Sequence, residues 1–277
     1  PALLSLVDSA IVREESLWAR MEALHQELTH LTEKLVPSRF RSDLESAVRE
    51  DFQNIEDILR AVWLVRDSSD RTREYISGLG AVWTAQVVNA RFKAEGYTSE
   101  WMDTRELLCV SPSDAGPVVC WDETRQSIEA RRKELEGLDV LVVTGGLGRT
   151  REGASTGFGD NGSELTATVF ANLLDAGGVT LWKQVDGVMS ADIHSVPGAE
   201  VIPELSYQEA TELAYFGAEV LHPPAMTPAM MKGIPLYIRN IHDTSGGGTR
   251  IARTAESPEA KPVKGFSIIN EIALLNI

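Results

Sequence analysis

The chain has 277 residues, 43% of them hydrophobic, enough to bury a substantial core in one large domain or two small ones. Its formal net charge of −15 is offset by no Lys/Arg-rich block, which argues against nucleic-acid partners and anionic membrane surfaces and for a well-solvated acidic protein. The two cysteines, Cys109 and Cys120, form no CxxC and have no histidine at ligand spacing, so no metal site is expected and a reducing, cytoplasmic compartment is.

No apolar run reaches the ~18 residues of a membrane span, and no signal peptide opens the chain. It begins PALLSLVD, without a Met and directly on an apolar run, as if cut into a longer sequence. From residue 3 to about 75 the pattern is helical. Leu17, Met21, Leu24, Leu28, Leu31 and Leu35 form one stripe at spacings of three to four residues. Asp43 is expected to cap the next helix, along which Leu44, Val48, Phe52, Ile55, Ile58 and Leu59 continue the period. Ser69–Arg73 reads as a turn, and a further helix is expected from about Leu79 to Glu95, with Val82, Ala85, Val87, Val88 and Phe92 inward.

From Ser99 the pattern changes. Short apolar runs at Leu107–Val110, Pro117–Trp121, Leu138–Val143, Val179–Trp182 and Ile234–Ile238 read as strands. Helical stretches at Thr124–Leu135, Ser163–Ala176 and Tyr207–Leu221 separate several of them. That alternation predicts an α/β fold, a mainly parallel sheet covered on both faces. LDVLVVTGGLGRT is a strand running into a glycine turn, and Gly246–Gly248 mark a tight loop before Thr249–Ile251.

The segment Thr180–Asn240 contains the words VDGV, SYQEATELAYFGA, LHP and IP-x-x-x-R-N. Together they closely resemble the aspartokinases of the amino-acid kinase family. The resemblance spans about residues 75–277 and is most specific over 140–240. It implies the amino-acid kinase (carbamate-kinase-like) fold, a three-layer αβα sandwich with a helical insertion. It further implies an organisation of 1–75 as helical insertion, 76–155 as substrate lobe and 156–255 as nucleotide lobe. Residues 256–277 would be a linker and the first strand of a truncated ACT-like domain. The family reaction is ATP plus L-aspartate giving 4-phospho-L-aspartate, the first step of the aspartate pathway to lysine, threonine and methionine, with Mg-ATP as cofactor. The family's dimer through complete ACT domains is not expected from this chain.

Phosphoryl transfer to a carboxylate requires cations and backbone N–H groups around the phosphates, a cation on the acceptor, and in-line placement. Glycine loops that open onto helix N-termini supply the N–H groups. GFGDNGSELTA, Gly157–Ala167, is such a loop and resembles the family's L-G-R-G-G-S-D-Y-T-A. Ser163 matches and Glu164 replaces an Asp. Asp160 stands where the family has the arginine that clamps the substrate carboxylate. Opposite unit charges ~4 Å apart attract by about 4 kcal/mol at a surface-like dielectric, so the exchange turns attraction into repulsion of similar size. A plain loop followed by a capped helix is the alternative reading of this segment.

Ala81 occupies the place of a family glutamate that orients the substrate amine, and it has no polar atom. VTGGLGRTREG resembles T-G-F-x-G-R-T-x-x-G, with Gly146 where a substrate-packing Phe is usual and Arg149 retained. WKQVDGVMSADIH resembles the nucleotide-pocket word W-T-D-V-D-G-V-Y-T-A-D-P-R. There Lys183 and Gln184 replace Thr-Asp, Met189 replaces Tyr, and His194 replaces Arg, exchanging a fixed cation for an imidazole that is mostly neutral at pH ~7. Asp186, Gly187 and Asp192 persist. Glu219 replaces a nucleotide-facing lysine in FGAKVLHP. His222 reads as a structural histidine before two prolines rather than a general base. The family's N-terminal K-F-G-G-T-S, with the lysine that bridges the transferring phosphoryl group, has no counterpart in this sequence, so no catalytic residue is assigned.

The resemblance thus assigns Ala81, Gly146, Asp160, Ser163 and Glu164 to the substrate site. It assigns Lys183, Gln184, Asp186, Gly187, Met189, His194 and Glu219 to the nucleotide site. Two functional readings stay open: an aspartokinase-lineage protein whose activity is lost or very low, and a non-catalytic scaffold or regulatory protein on the same fold that binds a partner or effector.

Overall fold

Apolar side chains recurring along the first ninety residues have only one way to leave water together, as helices packed on a common core. A computed structural model of the chain shows this arrangement. It describes residues 2–111, 113, 116–159, 161–193, 195–215, 220, 222–255 and 263–266. The chain divides into two compact units, 1–160 and 161–277.

The first unit opens with α1 (Ala2–Val12), α2 (Leu17–Leu35), α3 (Ser42–Val65) and α4 (Asp70–Ala94). Leu6, Val7, Leu17, Ile55, Leu59 and Ile76 lie at the centre of their shared core. The α3 stripe is buried as the periodicity requires, with Ile58 half-buried. The α2 stripe is not: Leu17 and Met21 are buried, but Leu31 is 47% exposed and Leu35 is also exposed. Two further differences lie at helix starts. Asp43 sits inside the first turn of α3, whose N-cap is Arg41, where its charge meets the positive end of the helix dipole. Helix α4 begins nine residues before the expected Leu79, because the Ser69 side chain accepts the Thr72 N–H and caps it. Gly78, inside that helix, leaves room for Leu147, whose Cδ2 would lie 3.1 Å from an added Cβ. Val88, expected inward, is exposed.

The unit continues through β1 (Ser99–Met102), α5 (Thr104–Leu107), β2 (Val110–Ser111), β3 (Val118–Val119), α6 (Trp121–Ala130), α7 (Arg132–Leu135), β4 (Val140–Val143), β5 (Leu147–Arg149) and β6 (Ser155–Gly157). Strands β1 and β4 pair in parallel, while β2–β3 and β5–β6 are antiparallel pairs. The run expected as a strand at Leu107–Val110 is instead the end of α5 followed by β2. Asp103 accepts the Arg105 N–H and starts that helical turn.

The second unit holds α8 (Gly162–Leu173), β7 (Val179–Lys183), β8 (Glu204–Ser206), α9 (Tyr207–Tyr215), α10 (Pro223–Lys232), β9 (Leu236–Asn240) and β10 (Thr249–Ala252). Its sheet runs in the order β7-β9-β10-β8, with β7–β9 and β10–β8 parallel and β10–β9 antiparallel. Val179, Leu181, Leu205, Leu236, Ile238 and Ile251 supply the buried strand residues of its core, with Ala171, Ala210, Met226 and Ala229 packed on them from α8, α9 and α10. Strands alternate with helices as the sequence requires. Of the ACT-like tail only 263–266 is described. There the Phe266 N–H bonds the Ser190 carbonyl at 2.8 Å, and the Phe266 ring, expected to bury, is exposed. The strand expected beyond it lies outside the described residues. No described helix is long and apolar enough to cross a membrane.

Candidate active site

The second unit brings Glu164 and Lys183 together. Glu164 is in the first turn of α8 and Lys183 ends β7. Lys183 Nζ lies 2.6 Å from Glu164 Oε1, both side chains being 18% exposed. The same ammonium donates to the Val220 carbonyl at 2.6 Å. A residue expected at the substrate and one expected at the nucleotide are therefore bonded to each other. Ser163 is also in the first turn of α8, exposed, but Asn161 is the N-cap residue, in left-handed conformation at φ 59°.

The VDGV turn is held from below. Thr249 Oγ1 accepts the Val188 N–H at 2.8 Å and donates to the Ile202 carbonyl at 2.7 Å. A Cβ on Gly187 would lie 2.6 Å from that Thr249 oxygen and 2.8 Å from Val201 Cγ1, so only glycine fits. The close approach that the motif permits is made here to the protein's own β10. Asp186 is exposed, and its Oδ1 accepts from Asn240 Nδ2 at 2.7 Å. Met189 bridges to Val201, and Gln184 points into solvent.

Asp186 and Asn240 border a cleft of about 430 Å3, completed by Val201, Pro203, Asp243 and the Gly246–Gly248 turn. Among the described residues the lining carries two carboxylates and neither Lys nor Arg. Hydrogen bonds from the Ser245 side chain and backbone hold the Asp243 carboxyl below its ordinary pKa, which keeps it anionic. Asn240, Asp243 and Thr249 received no role from the sequence. The signal available was the position of Asn240 at the end of the I-R-N word, and of Thr249 directly after three glycines.

In the first unit, Ala81 lies on α4 and offers no polar atom. Gly146 adopts φ 74°, a conformation that strains side-chain-bearing residues, and its carbonyl accepts the Phe158 N–H at 3.0 Å. The ring of Phe158 is buried over Gly148, where an added Cβ would meet Phe158 Cζ at 2.7 Å. An aromatic side chain is thus present beside the glycine turn, but it comes from the β6 end. Arg149 donates to Ser127 Oγ at 3.2 Å. Glu74, on α4, accepts hydrogen bonds from the Gly157 backbone and the Thr156 side chain, yet burial outweighs them and raises its pKa. Asp160, His194 and Glu219 lie outside the described residues.

A helix-covered, mainly parallel sheet with a glycine turn and a polar cleft beside its strands defines an α/β protein. The model of the amino acid kinase family matches residues 19–240, and the chain belongs to that family, in its aspartokinase lineage. It is 33% identical over 279 residues to bifunctional aspartokinase/homoserine dehydrogenase 2 of Arabidopsis thaliana, covering 98% of this chain and 30% of that protein. It is 31% identical over 242 residues to aspartokinase 3 of Arabidopsis thaliana, covering 85% of this chain and 43% of that protein. The chain therefore spans less than half the length of these relatives. Among solved structures, E. coli aspartokinase III in complex with aspartate and ADP superposes with a TM-score of 0.80 at 23% identity. The match covers 92% of this chain and 57% of that one, and it supports the fold.

Proposed function

We propose that this chain is an aspartokinase-lineage domain in which phosphorylation of L-aspartate by Mg-ATP is lost or very low. The observation that carries this reading is the commitment of Lys183. The one cation that the sequence offers among the described nucleotide-site candidates has its charge neutralised by Glu164, and it also donates to the Val220 carbonyl. The cleft beside the VDGV turn adds two carboxylates and, among the described residues, no compensating base. These residues do not fit a tightly held triphosphate. In sequence, Asp160, Glu219, His194 and Ala81 depart from the family pattern in the same direction, each deleting a cationic or polar contact. Loss of a single preorganised contact typically lowers the rate by ~10²–10³.

The alternative on the same fold is a non-catalytic scaffold or regulatory domain that binds a partner or effector, and either reading places the chain in a reducing, cytoplasmic-type compartment. Residues 1–75 are its helical insertion, 76–155 its substrate lobe and 156–255 its nucleotide lobe. Any remaining nucleotide binding centres on Lys183, Gln184, Asp186, Gly187 and Met189, and is at best roughly millimolar, about 4 kcal/mol. The test is a coupled assay for aspartate-dependent ADP release, paired with calorimetry of Mg-ATP binding. Negligible turnover and millimolar or weaker binding are expected. Turnover at ordinary kinase rates, or micromolar affinity, overturns the reading.

A further inference from the structure

We propose that Cys109 and Cys120 form a reversible thiol–disulfide switch in the first unit, closed by hydrogen peroxide and opened by a dithiol reductant. Both cysteines are free and buried. Strands β2 and β3 pair antiparallel, with Val110 opposite Val119 and Ser111 opposite Val118. One step further along that register Cys109 stands opposite Cys120, and the Cys120 N–H bonds the Cys109 carbonyl at 2.9 Å. Opposed residues that share such a bond hold their Cα atoms about 5.5 Å apart, within the span that a disulfide bridges. The side chains also meet, the Cys109 thiol lying in hydrogen-bond contact with that of Cys120.

The surroundings fix the pair and give its members different parts. The Cys109 N–H donates to Thr124 Oγ1 at 3.1 Å, and Thr124 is itself buried. Cys109 has no exposed surface, and burial together with the Cys120 contact pushes its thiol above the ordinary range. Cys120, at the N-cap of α6, is 7% exposed, so an oxidant reaches it first. Arg149 faces Cys109, and Arg151 faces both sulfurs, held by Glu123 Oε1 at 2.7 Å. Cysteines that serve packing alone sit in apolar surroundings and are inert, whereas guanidinium groups beside a thiol stabilise the anion that attacks an oxidant.

The chemistry balances with one peroxide. The Cys120 sulfur attacks a peroxide oxygen, the O–O bond breaks, and the thiol proton leaves with the other oxygen as water, giving a sulfenic acid. The Cys109 sulfur then attacks Cys120 Sγ, the S–OH bond breaks, and the Cys109 proton completes a second water. Two electrons pass from the sulfurs to the peroxide. A dithiol reductant resets the pair by exchange, its own thiols becoming a disulfide as Cys109 and Cys120 regain theirs. In reducing compartments disulfides of this transient kind are the redox-sensing ones. The closed bond constrains a loop of about 11 residues and ties β2 to the start of α6. It also lies next to β5, because the Leu108 carbonyl accepts the Arg149 N–H at 2.9 Å.

The test treats the whole reduced chain with hydrogen peroxide, from micromolar to millimolar, and then alkylates it in denaturant for mass spectrometry. The sequence holds only these two cysteines, so they should lose alkylation together, regain it with dithiothreitol, and leave the chain at monomer size on a non-reducing gel. The oxidised chain is expected to melt roughly 5 °C or more above the reduced one. In Cys109→Ser, Cys120 is expected to stop at the sulfenic acid, which a 1,3-dione captures. The proposal is overturned if both thiols stay alkylatable, if the disulfide links two chains, or if it forms only in urea that unfolds the protein. It is also overturned if the oxidised chain melts no higher than the reduced one. These outcomes are read on the wild-type chain and stand whether or not the variant folds. A folded Cys109→Ser without the dione adduct removes Cys120 as the attacking sulfur and overturns the proposal too.

Discussion

Replacing Glu164 by glutamine removes one charge and keeps the shape, so it isolates the ion pair that closes over Lys183. At 2.6 Å separation and an effective dielectric of ~20, the gross attraction is about 6 kcal/mol. Most of that is offset by desolvation of two charges. Exposed pairs contribute ~0–1 kcal/mol, and removing one partner of a fully buried pair costs ~3–5 kcal/mol. Side chains that are 18% exposed stand between these limits, and the Val220 carbonyl remains to the ammonium. The expected loss is about 2 kcal/mol, or ~4–8 °C in melting temperature. The same change frees the cation, so Mg-ATP binding should tighten roughly tenfold, about 1.4 kcal/mol. Thermal unfolding and calorimetry on Glu164→Gln, Lys183→Met and the double variant separate the two effects, with a coupling energy above ~0.5 kcal/mol expected from the cycle. If Glu164→Gln is as stable as the wild type, the pair is not formed in solution. If it is destabilised but binds Mg-ATP no better, Lys183 does not face nucleotide, and the argument for depleted phosphate binding loses its support.

Gly187→Ala forces a Cβ against Thr249 Oγ1 and Val201, with an expected overpacking cost of about 1–3 kcal/mol by urea unfolding; a neutral result would mean the VDGV turn is loose. Tyr207 is buried, donates to the Ile234 carbonyl, and has its pKa pushed up to about 12 by burial. Tyr207→Phe leaves that carbonyl unpaired at a cost of about 1–3 kcal/mol. Because the folded pKa is raised, the Tyr207 contribution is complete below the unfolded value near 10 and fades as pH rises toward about 12, which spectrophotometric titration combined with unfolding can follow. Asp51 accepts from Trp83 Nε1 at 2.7 Å, yet desolvation raises its pKa. Its protonated form is therefore favoured in the fold, and stability is lost as pH rises through the folded value. Asp51→Asn should be more stable than the wild type at neutral pH, with the difference shrinking below the unfolded value of ~3.9; a variant less stable at neutral pH contradicts this.

The alternation of helix and strand was legible because short, largely apolar runs such as Val179–Trp182 and Leu138–Val143 stand between helical stretches, although β7 buries only alternate residues, Val179 and Leu181, and leaves Thr180 and Trp182 exposed. Boundaries failed where a side chain, not a period, decides. Ser69 caps α4 nine residues upstream of the expected start, and Asp103 turns Thr104–Leu107 into a helix. Gly78 sits inside α4 to admit Leu147 from a distant strand. No local pattern announces a contact across seventy residues. The pairing of Glu164 with Lys183 was hidden for the same reason. Each was placed by its own motif, and only the packing of α8 beside β7 brings the two motifs within bonding distance.

Those placements explain why the resemblance is close in these segments. In VDGV, Gly187 is required by Thr249 and Val201, which are this protein's own residues, and Val188 is buried and bonded to Thr249. In SYQEATEL, Tyr207 is tied to the Ile234 carbonyl and Ser206 exchanges hydrogen bonds with Glu209 at the start of α9. In I-R-N, Ile238 is fully buried, and Asn240 reaches across to Asp186. The family words are packing and turn words, held in place by folding energetics whether or not a phosphate is ever bound. The positions that would meet a ligand are under no such constraint. Gln184 points into solvent, Ala81 has nothing to offer, and Lys183 has been drawn into a pair with Glu164. Words that serve the protein's own core persist with the fold whatever the site does, and the Glu164–Lys183 pair adds one more bond to that core's surroundings.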